Sequence, residues 1–293
     1  MKTLSDVIII GGGPAGVTAS LYTARANLTT TLIYKDHGAL EKAEKVDNYY
    51  GLKPTDGKTI VETGLEQARN VNVRIISAEV VGIIISDDGI ITVETTTKTL
   101  KGKTAVFATG ATRATPDIKG LTPLEGKGIS YCAICDGFFY RGKDVAVLGS
   151  GAYALHEVND LLPIVKSVTV LTNGHEPTVN FPENVKVIKE KITEITATKS
   201  MMGMVLSGVK LENDEALPLA GLFIAIGVAG GTELARKLGA ILVDNAVQVD
   251  NTFRTSIPGI WAAGDCTGGL KQIAKAVYEG AQAGTDIVRY LRN

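Results

Sequence analysis

The chain has 293 residues, 45% of them apolar and 21% charged, with a formal net charge of -1. That length suggests two domains and a sizeable core, and the composition excludes a disordered chain. The balanced charge gives no bulk electrostatic case for nucleic acid or an anionic membrane, and no apolar run approaches the ~20 residues of a membrane span. Three cysteines are too few for a secreted disulfide scaffold. Two of them, Cys132 and Cys135, form a C-x-x-C, which in an intracellular α/β chain points to redox or metal chemistry. The 33 glycines fall in short clusters, as tight turns around ligands would.

Val7 to Ile10 is a continuous apolar run, the pattern of a strand buried on both faces. A glycine cluster follows at once, so no cleavable leader is expected. Residues 17–26 read as a helix and residues 30–34 as the next strand, which together make a βαβ unit. Between Val71 and Val93, short β-branched segments around an Asp87-Asp88-Gly89 turn suggest a small antiparallel meander. Thr104 to Gly110 is another buried strand ending in glycine. A second βαβ unit starts at residues 144–148, continues through a glycine turn and a helix stopped by Pro163, and ends in strand 168–171. The chain therefore contains the same supersecondary unit twice. Residues 223–227 mirror the strand at 107–110, and a last long helix is expected from about Gln272 to Leu291.

Gly11-x-Gly13-x-x-Gly16 lies between a strand and a helix, the context in which this spacing signals a dinucleotide. Gly11 permits the tight turn, Gly13 lets backbone approach a pyrophosphate, and Gly16 lets helix and strand pack closely. The helix N-terminus then faces the phosphates with its partial positive charge. Asp36, 20 residues past Gly16, stands where a ribose-binding acid is expected, and it reads equally as a solvated loop acid. Gly149-x-Gly151-x-x-Ala154 repeats the fingerprint. A 2'-phosphorylated nicotinamide cofactor would need arginines near the end of the next strand. That strand instead ends Leu171-Thr172-Asn173-Gly174-His175, and Arg236 is the only arginine between Arg141 and Arg254. Tyr153 is expected to crowd the turn beside any pyrophosphate. The favoured reading is a structural βαβ turn that binds no nucleotide, with His175 a solvated loop residue.

The C-x-x-C has no second cysteine pair or histidine pair nearby, so no four-ligand zinc site can be assembled, and no metal is expected. Ala133 and Ile134 between the thiols suit a disulfide that opens and closes. Asp136 follows directly and can relay a proton to a leaving thiolate. Cys266 is expected to be a packed small residue.

Taken in order, Gly11-Gly12-Gly13-Pro14-Ala15-Gly16, Val46-Asp47-Asn48-Tyr49-Tyr50-Gly51, Ala108-Thr109-Gly110, Ser130-Tyr131-Cys132-Ala133-Ile134-Cys135-Asp136-Gly137, Ala262-Ala263-Gly264-Asp265 and Leu270-Lys271-Gln272-Ile273-Ala274 resemble the low-molecular-weight thioredoxin reductases. The resemblance covers most of the chain. It implies an α/β fold of two Rossmann-like dinucleotide-binding-type domains, three-layered β/β/α, the second inserted in the first. Residues 1–114 and 245–293 would form a discontinuous FAD domain, and residues 115–244 a central redox domain with a degenerate NAD(P)H-type fold. FAD would be held by Gly11, Gly13, Pro14, Ala15 and Gly16, by Tyr34 and Asp36, and by Ala108, Thr109 and Gly110. Asn48 would lie near the flavin, Val80 near the adenine, Asp265 at the ribityl-phosphate end, and Lys271, Gln272 and Ile273 at the flavin's pyrimidine edge. Cys135 would be the flavin-facing thiol, Cys132 the thiol that attacks the substrate disulfide, and Asp136 the acid. The family is homodimeric and cytoplasmic.

The family's NADPH-dependent members carry a His-Arg-Arg stretch after the second βαβ strand and a further arginine downstream. This chain has neither, and it is somewhat shorter. It thereby resembles the pyridine-nucleotide-independent branch, the ferredoxin-dependent flavin thioredoxin reductases. The implied function is transfer of electrons from reduced ferredoxin, through FAD and the Cys132–Cys135 disulfide, to thioredoxin. Two alternatives stay open: an NAD(P)H-dependent thioredoxin reductase, and a dithiol oxidase of the same fold. A non-catalytic flavoprotein whose C-x-x-C only senses redox state is disfavoured by the intact Cys-x-x-Cys-Asp.

Overall fold

The computed structural model describes residues 4–111, 116–200, 203–226 and 230–293. The chain divides into two compact units, one made of Met1–Thr112 and Gly230–Asn293, the other of Arg113–Ala229.

In the first unit, β1 (Ser5–Ile10), α1 (Pro14–Arg25) and β2 (Thr30–Tyr34) form the expected βαβ unit, with β1 and β2 parallel. Next comes α2 (Gly57–Asn70), a helix that the motif reading passed over. Its start is encoded locally: Asp56 is the N-cap, its Oδ1 accepting from the Thr59 amide at 2.8 Å. Val61, Leu65 and Ala68 then bury one helical face. β3 (Arg74–Ser77) follows and pairs parallel with β2, so the start of the expected antiparallel meander belongs instead to the parallel sheet. The meander proper is β4 (Val80–Ile85), β5 (Ile91–Thr95) and β6 (Thr99–Phe107), turning at residues 86–90. β6 also runs parallel beside β1, and the sheet order is β3-β2-β1-β6-β5-β4.

The second unit opens with β7 (Ile129–Ser130) and the short α3 (Ala133–Asp136). β8 (Asp144–Leu148), α4 (Ala152–Leu161) and β9 (Ser167–Leu171) make the second βαβ unit. β10 (Lys186–Ile188) extends the sheet. β11 (Ile192–Ser200), β12 (Gly203–Leu211) and β13 (Ala216–Pro218) form a separate antiparallel sheet, and β14 (Gly221–Ile224) returns to the parallel one. The parallel order is β10-β9-β8-β14-β7. Leu148, Leu171, Leu222 and Ile224 of the parallel sheet share a core with Ile195, Leu206, Val209 and Leu211 of the antiparallel one.

The chain then re-enters the first unit through α5 (Gly231–Lys237), the small β15 (Leu242–Val243) and β16 (Ala246–Val247) pair, β17 (Ile260–Ala262) beside β6, and α6 (Ile273–Arg292). Residues 230–244, expected in the central domain, thus lie in the first unit. The reason is local: the Gly231 amide donates to Thr109 Oγ1 at 2.7 Å, and Leu234 and Ala235 of α5 are fully buried. The other expected boundary, at 114/115, falls outside the described residues. α1 and α6 cross closely through small residues, since a Cβ on Gly280 would stand 2.2 Å from the Ala15 carbonyl oxygen. Among the described residues no helix is long and apolar enough to cross a membrane.

Candidate active site

The C-terminal end of β1 is built for close approach. Gly11 has φ +121°, and a Cβ there would lie 2.1 Å from the Ala108 carbonyl oxygen. A Cβ on Gly16 would lie 2.0 Å from the Gly11 carbonyl oxygen, so helix and loop touch there. Gly13 is different. A Cβ on it would meet nothing within 4 Å, and it is the N-cap of α1, with Pro14 in the first turn and no side chain capping the helix. Open space before uncapped amides is the cradle a pyrophosphate requires. Tyr34, at the end of β2, lies under Gly12 and faces the His37 ring in parallel at 6.2 Å. A cavity of about 480 Å³ opens beside these two rings, across from Thr59 and Glu62 of α2. The Asp36 carboxylate accepts from the Gly38 amide at 2.9 Å and so shapes its own turn.

Both ends of the chain meet in this unit. Asn48 Nδ2 donates to Gln272 Oε1 at 3.1 Å, and Gln272 is the N-cap of α6. Ile273 begins that helix, and Lys271 before it is exposed. Val80 opens β4 with its side chain buried. The Thr109 hydroxyl is engaged by α5, and Gly110 turns at φ +77°. Asp265 heads a short 3-10 turn after Gly264, whose φ is +86°. Two residues that the motifs did not flag hold that turn. Glu279 Oε2 accepts from the Gly264 amide at 2.7 Å and from Thr267 Oγ1 at 2.9 Å, and Lys275 Nζ donates to the Gly264 carbonyl at 2.9 Å. Their only sequence signal is an i,i+4 Lys–Glu pair, which ordinarily marks a solvated face.

In the second unit, Cys132 and Cys135 form a disulfide. Cys132 is the N-cap of α3, and its Sγ accepts from the Cys135 amide at 3.2 Å. Cys132 is 1% exposed, whereas Cys135 lies at the surface. Ser130 organises the acid: its hydroxyl donates to Asp136 Oδ2 at 2.6 Å while accepting from the Cys132 amide at 3.1 Å. Burial, and then the charge of Asp136, push the Tyr140 phenol up from its ordinary value. Phe138 and Phe139 stand exposed beside the motif. Glu157 of α4 is 1% exposed, and its Oε2 accepts from the Ala133 amide at 2.7 Å. Sequence reading missed Glu157, because nothing along the chain links it to a motif 24 residues away. Among the described residues no His, Cys, Asp and Glu cluster could hold a metal ion.

The second glycine turn keeps its geometry, since a Cβ on Gly149 would meet the Ala225 carbonyl oxygen at 2.2 Å. Tyr153 does not crowd it, contrary to expectation. The ring is 2% exposed and points inward, its hydroxyl donating to the Tyr131 carbonyl at 3.3 Å. What occupies the turn's edge is Thr178, whose amide donates to the Ser150 carbonyl at 2.8 Å. A small cavity of about 50 Å³ is lined by Ser150, Thr172 and His175. Cys266 is buried and donates to the Phe107 and Ala263 carbonyls at 3.3 Å, as its packed reading expected.

Residues 5–280 match the pyridine nucleotide-disulphide oxidoreductase family. The chain belongs to this family and, within it, to the thioredoxin reductases. It is 33% identical to the thioredoxin reductase of Buchnera aphidicola, over 97% of this chain and 94% of that protein. It superposes on the atypical thioredoxin reductase TRi of Desulfovibrio vulgaris with a TM-score of 0.91, at 35% identity, over 99% of this chain and 98% of that one. A ferredoxin-flavin thioredoxin reductase from Clostridium acetobutylicum aligns at TM-score 0.72 and 27% identity, over 98% of each chain. The two-domain α/β architecture and FAD as cofactor follow from that membership, and the open cradle at Gly13 fits the FAD pyrophosphate.

Proposed function

We propose that this flavin-dependent thioredoxin reductase draws its electrons from reduced ferredoxin and not from NADPH or NADH. The observation that carries the reading is the end of β9. There the chain presents Thr172, Asn173, Gly174 and His175, with no arginine for a 2'-phosphate. The likeness to a ferredoxin-flavin thioredoxin reductase adds support. About 130 mV separates a plant-type ferredoxin near −400 mV from a thioredoxin near −270 mV, roughly 6 kcal/mol downhill for two electrons.

When bound by the residues around Gly13, Asn48, Asp265 and Gln272, FAD supplies the conversion between one-electron delivery and two-electron disulfide reduction. The remaining chemistry belongs to side chains. The Cys132–Cys135 disulfide takes two electrons and two protons and opens to two thiols. Cys132, as thiolate, attacks thioredoxin's disulfide, forming a mixed disulfide and releasing one thioredoxin thiolate. Cys135 then attacks the Cys132 sulfur, which releases the second thioredoxin thiolate and restores the internal disulfide. Asp136, oriented by Ser130, hands a proton to the leaving thiolate. Because Cys132 is the covered sulfur, it must be uncovered before a protein substrate can reach it. The enzyme is read as a cytoplasmic homodimer, as the family resemblance implies.

The test is anaerobic turnover. FAD-loaded protein is mixed with oxidised thioredoxin and given reduced ferredoxin, NADPH or NADH, and new thioredoxin thiols are counted. Thiols formed with ferredoxin alone support the reading, and equal or faster turnover with NADPH overturns it.

A further inference from the structure

Glu157 is an ionisable side chain, 1% exposed, bonded to the backbone between the two cysteines. It sits in the middle of α4, the helix that follows the second glycine turn, and its Oε2 accepts from the Ala133 amide at 2.7 Å. Ala133 is the first residue of α3 and the neighbour of Cys132. The first amides of a helix are the groups that stabilise a thiolate at its N-cap. In this chain they are divided: Cys132 Sγ takes the Cys135 amide, and Glu157 takes the Ala133 amide. A carboxylate held there, away from water, also opposes negative charge on the sulfur one residue away.

We propose that Glu157 is a positioning residue that sets the reduction potential of the Cys132–Cys135 pair, acting through the Ala133 amide to make the dithiol a stronger reductant. The sign follows from the charge. The disulfide is neutral, whereas the reduced pair must present a thiolate to act, so a nearby carboxylate raises the free energy of the reduced form only. The equilibrium, disulfide plus two electrons and one proton to one thiol and one thiolate, is displaced toward the disulfide. This suits a pair that must pass its electrons on. It also gives α4 a task that no nucleotide at the turn before it is needed to explain. The inference rests on the reading of Cys132–Cys135 as the working redox pair.

The experiment equilibrates FAD-loaded protein at pH 7 in graded dithiothreitol redox buffers, which supply two electrons and one proton to the pair and release the second proton to the buffer. Free thiols are then alkylated and counted by mass. Glu157→Gln keeps an oxygen for the Ala133 amide and removes the charge. Its half-point should move at least fivefold toward easier reduction, about 20 mV for a two-electron couple. Glu157→Asp keeps the charge and should stay within about twofold of wild type, which keeps the proposal testable should the Gln variant not retain FAD. A Gln half-point equal to wild type, or an Asp half-point displaced fivefold or more, overturns the proposal alone. A wild-type pair that stays oxidised in every buffer ends the redox reading and this proposal with it.

Discussion

Asn48 and Gln272 stand 224 positions apart in the chain, yet Asn48 Nδ2 donates to Gln272 Oε1 at 3.1 Å. The family resemblance implies that both are flavin neighbours. The contact ties the segment after β2 to the start of α6. Asn48→Ala removes one exposed hydrogen bond, worth about 0.5–1.5 kcal/mol. FAD affinity should fall about two- to tenfold, read by flavin fluorescence on adding FAD to apoprotein. Unchanged affinity would dissociate this contact from the cofactor.

The glycines of the first turn should separate stability from binding. Gly11→Ala forces a side chain into the Ala108 carbonyl at a positive φ, and it should destabilise the fold by about 2–4 kcal/mol. Gly13→Ala enters open space and should cost less than about 1 kcal/mol, while weakening FAD binding by obstructing the pyrophosphate cradle. Thermal melts of the apoproteins, set beside FAD titrations, check both. A Gly13→Ala protein with wild-type affinity would contradict the cradle.

How legible this was in the sequence depended on distance along the chain. Both βαβ units were visible because apolar strands such as Val7–Ile10 run straight into glycine clusters. α2 went unread although Asp56, Thr59, Val61 and Leu65 encode it, because no chemical motif lies there. Tyr153 illustrates the other limit. Its place beside a glycine turn suggested obstruction, but direction is set by packing, and the ring turns inward to the Tyr131 carbonyl. Glu157 acts across a folded contact that no local pattern announces, and the i,i+4 pair of Lys275 and Glu279 reads in sequence as a solvated face. The placement of residues 230–244 in the first unit goes with the Gly231 amide meeting Thr109 and with the burial of Leu234 and Ala235, contacts far apart in sequence.

Asp136 should matter for the thiol steps and not for FAD binding. Asp136→Asn removes the proton donor, and about a hundredfold loss in thioredoxin reduction is expected, at the lower end of general acid effects. Ser130→Ala releases the carboxylate without removing it and should cost less. The FAD absorbance of both variants should match wild type. Full activity in Asp136→Asn would remove the acid from the mechanism.

Cys266 should be inert in the native state. Burial pushes its thiol up to about 12 from an ordinary 9.0. The native protein therefore keeps the proton through the range in which the unfolded chain loses it. This group leaves stability unaffected below about pH 9 and lowers it as pH rises from there toward 12. Cys266→Ala should flatten that decline in denaturant melts at high pH. In reduced native protein, alkylation at pH 8 should label Cys135 and leave Cys266 untouched, with Cys266 reacting after unfolding.

The identity of the electron donor is tested most directly by the anaerobic visible spectrum of the FAD-loaded protein. NADPH, then NADH, then reduced ferredoxin are added in turn. The arginine-free end of β9 predicts that NADPH leaves the flavin absorbance unchanged, and the proposed donor predicts the same for NADH and bleaching by ferredoxin. Rapid bleaching by NADPH at stoichiometric amounts would contradict the account and make the second glycine turn a working nucleotide site.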